Sequence, residues 1–390
     1  MDFRFTREQE EFRNEVRTFL EEELKQGSFQ PRCDAWIEGY SPEFSRKLSR
    51  RGWIGLTWPR EYGGGGKGHI DRLILTEELL RYGAPCAAHW FADRQVGPCL
   101  LAYGSEQQKR EYLPRIIAAE MFFGLALSEP EAGSDLASLK TSATEKDDCF
   151  VLNGQKVWTS GAHHFTHCYV VARTDPQAPK HRGISEFVVD MKLPGITVRP
   201  LIDLTGERHF NEVFFDEVRV PRECLIGGKN RGWYQITVQL DYERSGMERV
   251  MGNYPLLDVL LKLVTSEKGG GWDSAPRAVV RHKLAELAVE FEVGRLLVYR
   301  VAAMLEGGRV PNYETAMAKL YATEYEQRLA QGAMEILGLY GQLSGGSRWS
   351  WWSGKALSTY LFCRGYTLMG GTSEILRNVI AMRGLGLPSK

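Results

Sequence analysis

The chain has 390 residues, with 49 Lys plus Arg against 49 Asp plus Glu. That balance argues against a polyanionic partner, so no nucleic acid is expected, and the length accommodates two or three domains with an ample core. The seven cysteines (Cys33, Cys86, Cys99, Cys149, Cys168, Cys224, Cys363) are scattered, with no Cys-x-x-Cys pair. This predicts a reduced, cytoplasmic protein with no structural zinc. The opening Met1-Asp2-Phe3-Arg4 has no basic n-region followed by an apolar stretch, so no signal peptide is expected. The longest apolar run, Leu256 to Val264, is interrupted by Asp258 and Lys262 and is too short and charged to span a bilayer.

In chain order, Thr6 and Gln9 form a capping box, and Phe12, Val16, Phe19, Leu20 and Leu24 follow at helical spacing. Ser41-Pro42 opens a second helix, with Pro at its first position. An aromatic, Gly-rich connection runs from Gly52 to Gly66. A helix follows over Ile70 to Tyr82, then a small-residue stretch from Ala84 to Ala92 that predicts burial. Ser105 and Gln108 make another capping box, for a helix running toward Ala119. Residues 1–121 therefore predict an α-helical domain. Residues 122–226 change character: short β-branched and aromatic runs such as Glu186 to Asp190 and Ile196 to Arg199 alternate with turn signals. They predict a small antiparallel β domain. From Gly232 helical periodicity returns and predicts helices over 232–266, 277–306 and 313–337, broken by Gly269-Gly270-Gly271 and Gly307-Gly308. A Gly/Ser loop from Ser344 to Ser353 carries Trp349, Trp351 and Trp352, and a last helical region ends near Pro388. Residues 227–390 thus predict a helical bundle. The expected class is α+β, mostly α.

Two stretches carry the chemistry. Leu127-Ser128-Glu129-Pro130 leads into Gly133-Ser134-Asp135, a polar loop after a short apolar strand. Small residues there let backbone N–H groups approach an anion. Asn153-Gly154 lies between Phe150-Val151-Leu152 and Val157-Trp158, which predicts a two-residue hairpin. Trp158 offers a flat ring, with Thr159 and Ser160 hydroxyls beside it. A planar heteroaromatic bearing phosphates would fit: ring on Trp158, donors from Ser160, phosphates on the Ser134 loop. On these residues alone, a surface loop and a half-buried Trp fit as well.

The order of these parts, Ser-Glu-Pro-x-Ala-Gly-Ser-Asp and then Asn-Gly-x-Lys-x-Trp-x-Ser-Gly, resembles the flavin-binding middle domain of the acyl-CoA dehydrogenase family. Trp58-Pro59-x-Glu61-Tyr62-Gly63-Gly64 and Gly104-Ser105-Glu106-Gln107-Gln108 resemble its N-terminal domain. The resemblance implies FAD as cofactor and an acyl-CoA thioester as substrate. It implies flavin contacts at Leu127, Ser128, Gly133, Ser134, Trp158, Thr159 and Ser160, with Gly338, Gly371, Thr372 and Glu374 at further cofactor-contacting positions. It also implies electron transfer to an electron-transfer flavoprotein and a tetramer or dimer of like subunits.

The chemistry implied is removal of an α-proton as hydride leaves the β-carbon. It requires a carboxylate in a water-poor pocket, because desolvation lifts a Glu above its ordinary pKa of about 4.3. In many family members this Glu precedes a Gly-Thr motif near the C-terminus. Here the motif is Gly370-Gly371-Thr372, and glycine holds the base position. Isovaleryl- and long-chain-type members carry the base on a helix of the C-terminal domain, followed by Arg. That place is Glu243-Arg244 in this chain. Ile236, Leu240, Met247 and Val250 form one helical stripe that takes in Glu243, while Asp241 and Glu248 fall off it and offer partners for Arg244. A paired structural carboxylate is the other reading of Glu243. Gly370 retains a backbone N–H able to hold a thioester carbonyl.

The match departs from the family at Glu267 to Asp273, which lacks an Arg-x-x-Phe-Gly run, and at Glu335, which replaces the usual Gln. The adenine end of the cofactor is then seated differently, or a heteromeric partner supplies part of its site. The Trp-rich loop resembles bacterial branches acting on bulky acyl groups, and would serve equally as a packing cluster. Two alternatives stand beside the dehydrogenase: altered chemistry of oxidase or desulfinase type, and a non-catalytic subunit of a heteromer.

Overall fold

The computed structural model describes residues 4–243, 246–265 and 277–388. The first helices are α1 (Arg7–Lys25), α2 (Pro42–Arg50) and α3 (His69–Arg81). Then α4 (Ala87–Phe91) passes through a π-helical turn at Ala92–Val96 into α5 (Gly97–Tyr103), and α6 (Glu106–Ile117) follows. The strands are β1 (Phe123–Ala126), β2 (Ser142–Glu145), β3 (Cys149–Lys156), β4 (His167–Arg173), β5 (Ile184–Asp190), β6 (Ile196–Leu201), β7 (Phe210–Pro221) and β8 (Leu225–Ile226). After them come α7 (Gly232–Glu243), α8 (Glu248–Met251), α9 (Tyr254–Thr265), α10 (Arg277–Glu306), α11 (Tyr313–Leu337), α12 (Lys355–Phe362) and α13 (Ser373–Val379).

Caps fix several of these starts. Thr6 accepts the Gln9 N–H while Gln9 reaches back to the Thr6 N–H, and Ser105 and Gln108 repeat the pattern. Ser41 accepts the Phe44 N–H ahead of Pro42. The helix predicted over 232–266 is interrupted: Gly246-Met247 and Gly252-Asn253 separate α7, α8 and α9. The apolar period survives these breaks, so periodicity alone reads straight through them. Asn253 is buried and donates to Glu326 Oε2, which fixes the second break in place. Gly269 to Gly271 lie outside the described residues.

The chain divides into two compact units. Tyr40–Lys67 and Cys86–Glu243 form one; Met1–Gly39, Gly68–Pro85 and Arg244–Lys390 form the other. The first is built on one sheet of order β6-β7-β3-β2-β4-β5-β8. Its ladders are mostly antiparallel, as expected, but β1 pairs with β4 in parallel. Phe150, Leu152, Val170, Phe187, Val189, Val213 and Val220 fill the sheet's core. In the second unit, α1, α3 and α10 are tied by a buried ionic cluster. Arg13 reaches Glu77 at 2.7 Å and Glu78 at 2.6 Å, and Tyr299 donates to Glu77 at 2.8 Å.

The hairpin expected at Asn153-Gly154 does not form: β3 runs continuously from Cys149 to Lys156. Its ladder with β7 shifts register between Leu152 and Gly154, a bulge rather than a turn. Asn153 Nδ2 donates to Glu217 Oε1 at 2.6 Å, and Asn153 Oδ1 accepts the Glu217 N–H at 2.8 Å, closing the bulge across the strands. Gly154 is required there because a Cβ would stand 2.7 Å from Thr141 Cα. The Asn-Gly pair supplies the unusual backbone that a tight turn also needs, which is why the motif does not separate the two.

A buried acid sits on β5. Glu186 accepts from Gln235 Nε2 at 2.6 Å, with the Cys99 thiol and Tyr169 hydroxyl beside it. Burial pushes its carboxyl up to about 7, and hydrogen bonds from Tyr169, Gln235 and Cys99 draw it partly back. The unfolded chain then loses this proton first as pH rises. Stability attached to Glu186 is full below its ordinary value of 4.5, falls as pH climbs, and is gone above about 7. Glu186→Gln keeps the acceptor for Gln235 without the charge. It is expected to gain roughly 3 kcal/mol at pH 8 and almost nothing at pH 4.5. Thermal midpoints of both proteins across that range test this, and equal midpoints at pH 8 would reject it.

Candidate active site

The two sequence motifs meet in the sheet unit. The Val157 N–H donates to the Ser128 carbonyl at 2.9 Å, joining the Ser128 loop to the end of β3. Lys156, fully buried, donates from Nζ to the Leu127 carbonyl at 2.9 Å and to Glu129 Oε1 at 2.8 Å. Glu129 also accepts the Lys140 N–H at 2.6 Å and the Thr141 N–H at 2.9 Å. Burial alone would raise the Glu129 carboxyl, but Lys156 and these N–H groups hold it below the usual range. The motif reading passed over this ion pair. The signal was present, since Lys156 is the lysine of Asn-Gly-x-Lys-x-Trp and Glu129 the acid of Ser-Glu-Pro.

Trp158 follows at φ 61°, the left-handed region, and the residue is 61% exposed. A bulky residue there is a strained outlier that its surroundings must impose. Asn211 imposes it: its carbonyl accepts the Thr159 N–H at 3.1 Å, and its Nδ2 donates back to the Thr159 carbonyl at 2.9 Å. The Gly161 N–H is taken by the His209 carbonyl at 2.9 Å. Phe210 meets the Trp158 ring edge-on at 5.9 Å. Ser160 and Ser128 are half-buried, and Gly133 and Ser134 are exposed. A Cβ on Gly133 would meet nothing within 4 Å, so that loop is open to a ligand. Among the described residues, the buried Thr159 hydroxyl finds no hydrogen-bond partner.

The remaining positions lie in the helical unit. Gly370 and Gly371 turn at φ 66° and 94°, and Thr372 caps α13 by accepting the Ile375 N–H at 3.2 Å. Lys319, buried in α11, donates to the carbonyls of Gly371 at 2.7 Å and Tyr366 at 3.0 Å and so holds the Gly-Gly turn. Sequence reasoning missed Lys319, although a lysine within Ala316-Met317-Ala318-Lys319-Leu320 is out of keeping with its neighbours. Glu374 is exposed; hydrogen bonds from its own N–H and from Thr372 keep its carboxyl low. Gly338 ends α11 at φ 56°. Glu335 is paired with Lys283 at 3.6 Å and accepts from Gln331 at 3.0 Å.

Glu243 is the last residue of α7, and its side chain lies outside the described residues, as do those of Leu240 and Asp241. Arg244 and the Glu267 to Asp273 stretch lie outside them too. Ile236, Met247 and Val250 of the predicted stripe are buried, but Ile236 lies on α7, Val250 on α8 and Met247 at the break between them. Asp93, another conceivable base, is committed to the Gly55 N–H at 2.7 Å and to Arg94 at 3.0 Å.

An exposed aromatic face beside hydroxyls and an open, small-residue loop has the chemistry to hold a flat cofactor with phosphates. The comparisons name the class. The N-terminal, middle and C-terminal domains of acyl-CoA dehydrogenase match residues 6–120, 124–218 and 230–385. The chain belongs to the acyl-CoA dehydrogenase family, FAD-dependent oxidoreductases acting on CH–CH groups. It is 36% identical to acyl-CoA dehydrogenase FadE29 of Mycobacterium tuberculosis over 346 residues, 88% of this chain and 87% of that protein. Among solved structures it resembles the Tcur3481-Tcur3483 steroid ACAD, with TM-score 0.90 and 31% identity over the full length of both chains. It also resembles the ChsE4-ChsE5 complex from Mycobacterium tuberculosis, with TM-score 0.86 and 32% identity, again over both full chains. Among the described residues, no helix is long and apolar enough to cross a membrane.

Proposed function

We propose that this chain α,β-desaturates an acyl-CoA thioester, with Glu243 as the base. The observation that carries it is the imposed, exposed Trp158 ring flanked by Thr159 and Ser160. Trp158, Ser160, Leu127, Ser128, Gly133 and Ser134 would hold the flavin, with Gly338, Gly371, Thr372 and Glu374 as further contacts. When bound, FAD supplies a two-electron acceptor for the β-hydride. Glu243 takes the α-proton onto its carboxylate, and the carbon–carbon double bond forms as the α- and β-C–H bonds break. The Gly370 N–H donates to the thioester carbonyl and stabilises the charge that gathers on its oxygen. Arg244 supports the base. Electrons leave to an electron-transfer flavoprotein.

The three-part division at 1–121, 122–226 and 227–390 belongs to the same proposal. So does a bulky, steroid-like acyl group, which the name of one structural neighbour supports. Assembly with a second, related chain is favoured by the likeness to the Tcur3481-Tcur3483 protein and the ChsE4-ChsE5 complex and by the absent Arg-x-x-Phe-Gly run. The test is anaerobic titration of the purified yellow protein with short, branched and steroid-bearing acyl-CoAs. Loss of oxidised-flavin absorbance with one class identifies the substrate. A flavin that none of them bleaches would sink the desaturase reading, and a colourless protein would favour the non-catalytic subunit.

A further inference from the structure

The entry to α7 is seated on three consecutive residues of β5. The Asn230 N–H donates to Ser185 Oγ at 2.8 Å. A Cβ on Gly232, the first residue of α7, would stand 3.0 Å from the Ile184 carbonyl oxygen and from Ser185 Cα, so a larger residue would push the helix start off the strand. One turn on, Gln235 Nε2 donates to Glu186 Oε2 at 2.6 Å and to the Ile226 carbonyl at 3.2 Å. Gly227 leaves room for that amide, since a Cβ there would collide with it. On the other side of Glu186, the Cys99 thiol of α5 lies 3.8 Å from Oε2 and 3.3 Å from the Tyr169 hydroxyl of β4. Gln235 and Glu186 are both buried. Glu186 Oε1 finds no hydrogen-bond partner among the described residues.

For stability alone, an acid is a poor way to fill this space. Burial disfavours its charge and one oxygen goes unsatisfied, whereas an apolar side chain of similar size would pack there with neither cost. What the acid and the amide supply, and apolar packing does not, is direction. Their hydrogen bond fixes the orientation of Gln235 and with it the axis of α7. That axis matters at the far end of the helix. Glu243 is the last residue of α7, two turns beyond Gln235 and roughly 12 Å along the helix. A tilt of about 5° at Gln235 moves that end by ~1 Å. A misplacement of ~1 Å is enough to slow a reaction ~100-fold. We infer that the Glu186–Gln235 hydrogen bond sets the axis of α7 and so positions Glu243 for removal of the α-proton. Both are positioning residues that act through the helix. The inference rests on the reading of Glu243 as the base.

The experiment combines three measurements on the full-length protein: anaerobic stopped-flow reduction by the acyl-CoA that bleaches wild type, thermal midpoints, and hydrogen–deuterium exchange of the amides of residues 236–243. Gln235→Met is expected to slow flavin reduction ~10- to 100-fold, with acyl-CoA affinity and flavin content near wild type and faster exchange over 236–243. Glu186→Gln keeps an acceptor for Gln235, so its rate should stay within about threefold of wild type. Combining Glu186→Met with Gln235→Met strands neither acid nor amide. Its thermal midpoint should return close to wild type while the rate stays low and exchange stays fast. Recovery of the rate along with the midpoint would make the pair merely structural and overturn the inference. Exchange equal to wild type in both variants that lack the hydrogen bond would overturn it too. Where Gln235→Met does not fold, the doubly substituted protein carries the comparison. Added to Glu243→Gln, Gln235→Met should cost less than about a further threefold, because both lesions act on one proton transfer. A second loss of ~10- to 100-fold there would place the effect elsewhere and overturn the inference. Glu243→Gln also separates the inference from the reading beneath it. If that variant reduces at the wild-type rate, or no acyl-CoA bleaches wild type, the base reading falls and takes the inference with it. If it is slow while the doubly substituted protein is fast, the inference alone falls.

Discussion

Glu243→Gln is expected to lower the rate of flavin reduction by acyl-CoA ~10²- to 10⁴-fold, the range over which a positioned acid or base contributes. Gln matches Glu in size and keeps a hydrogen-bonding oxygen, so folding and cofactor content should hold. It cannot take a proton, so the α-C–H bond loses its acceptor. The visible flavin spectrum and acyl-CoA affinity should stay near wild type while the reduction rate falls, the signature of a group that acts in the transition state. Stopped-flow bleaching under anaerobic conditions reads this directly. A variant that reduces at the wild-type rate would move the base elsewhere. Position 370 offers no alternative, because Gly370 has no side chain to take a proton.

Lys156→Met is expected to destabilise the sheet unit by roughly 3–5 kcal/mol, the cost of leaving one member of a buried ion pair alone. Glu129 would keep only the Lys140 and Thr141 N–H groups, and the Leu127 carbonyl would lose its donor. The Ser128 loop would also lose its hold on β3, whose next residues carry the Trp158 ring, so flavin loading should fall with stability. Adding Glu129→Gln removes the stranded charge, and the double variant should recover part of the loss. The pair also sets an acid limit. Glu129 sits below its ordinary pKa of 4.5 in the fold, so its contribution is present above that value and lost as pH falls through the folded one. Lys156→Met should therefore lose less stability on acidification than wild type. Denaturation midpoints and flavin-to-protein ratios for the single and double variants test this. A single variant as stable as wild type would show that the pair contributes nothing.

Much of the helical framework was legible residue by residue. The spacing predicted helices over 277–306 and 313–337, and α10 and α11 occupy those spans. The capping boxes at Thr6 and Ser105 and the Ser41-Pro42 start all formed. These signals are local: a cap joins residues three apart, and a stripe repeats every three or four. The flavin motifs were legible for another reason. Their residue order is itself the family pattern, and the chain's family membership bears that out.

Contacts between distant residues were not legible. Asn153-Gly154 read as a turn because the backbone of a bulge and that of a turn both favour these residues. Only Glu217, 64 positions away, decides that β3 continues through it. The second break in 232–266 depends likewise on Glu326 reaching Asn253. Lys156 finding Glu129 and Lys319 holding the Gly-Gly turn both follow from chain closure. The sequence by itself determined where helices begin, which residues line their apolar faces and which family the flavin motifs belong to. The tertiary structure decided which buried charges are paired, because an ion pair's worth depends on a partner and a degree of burial that no local pattern encodes.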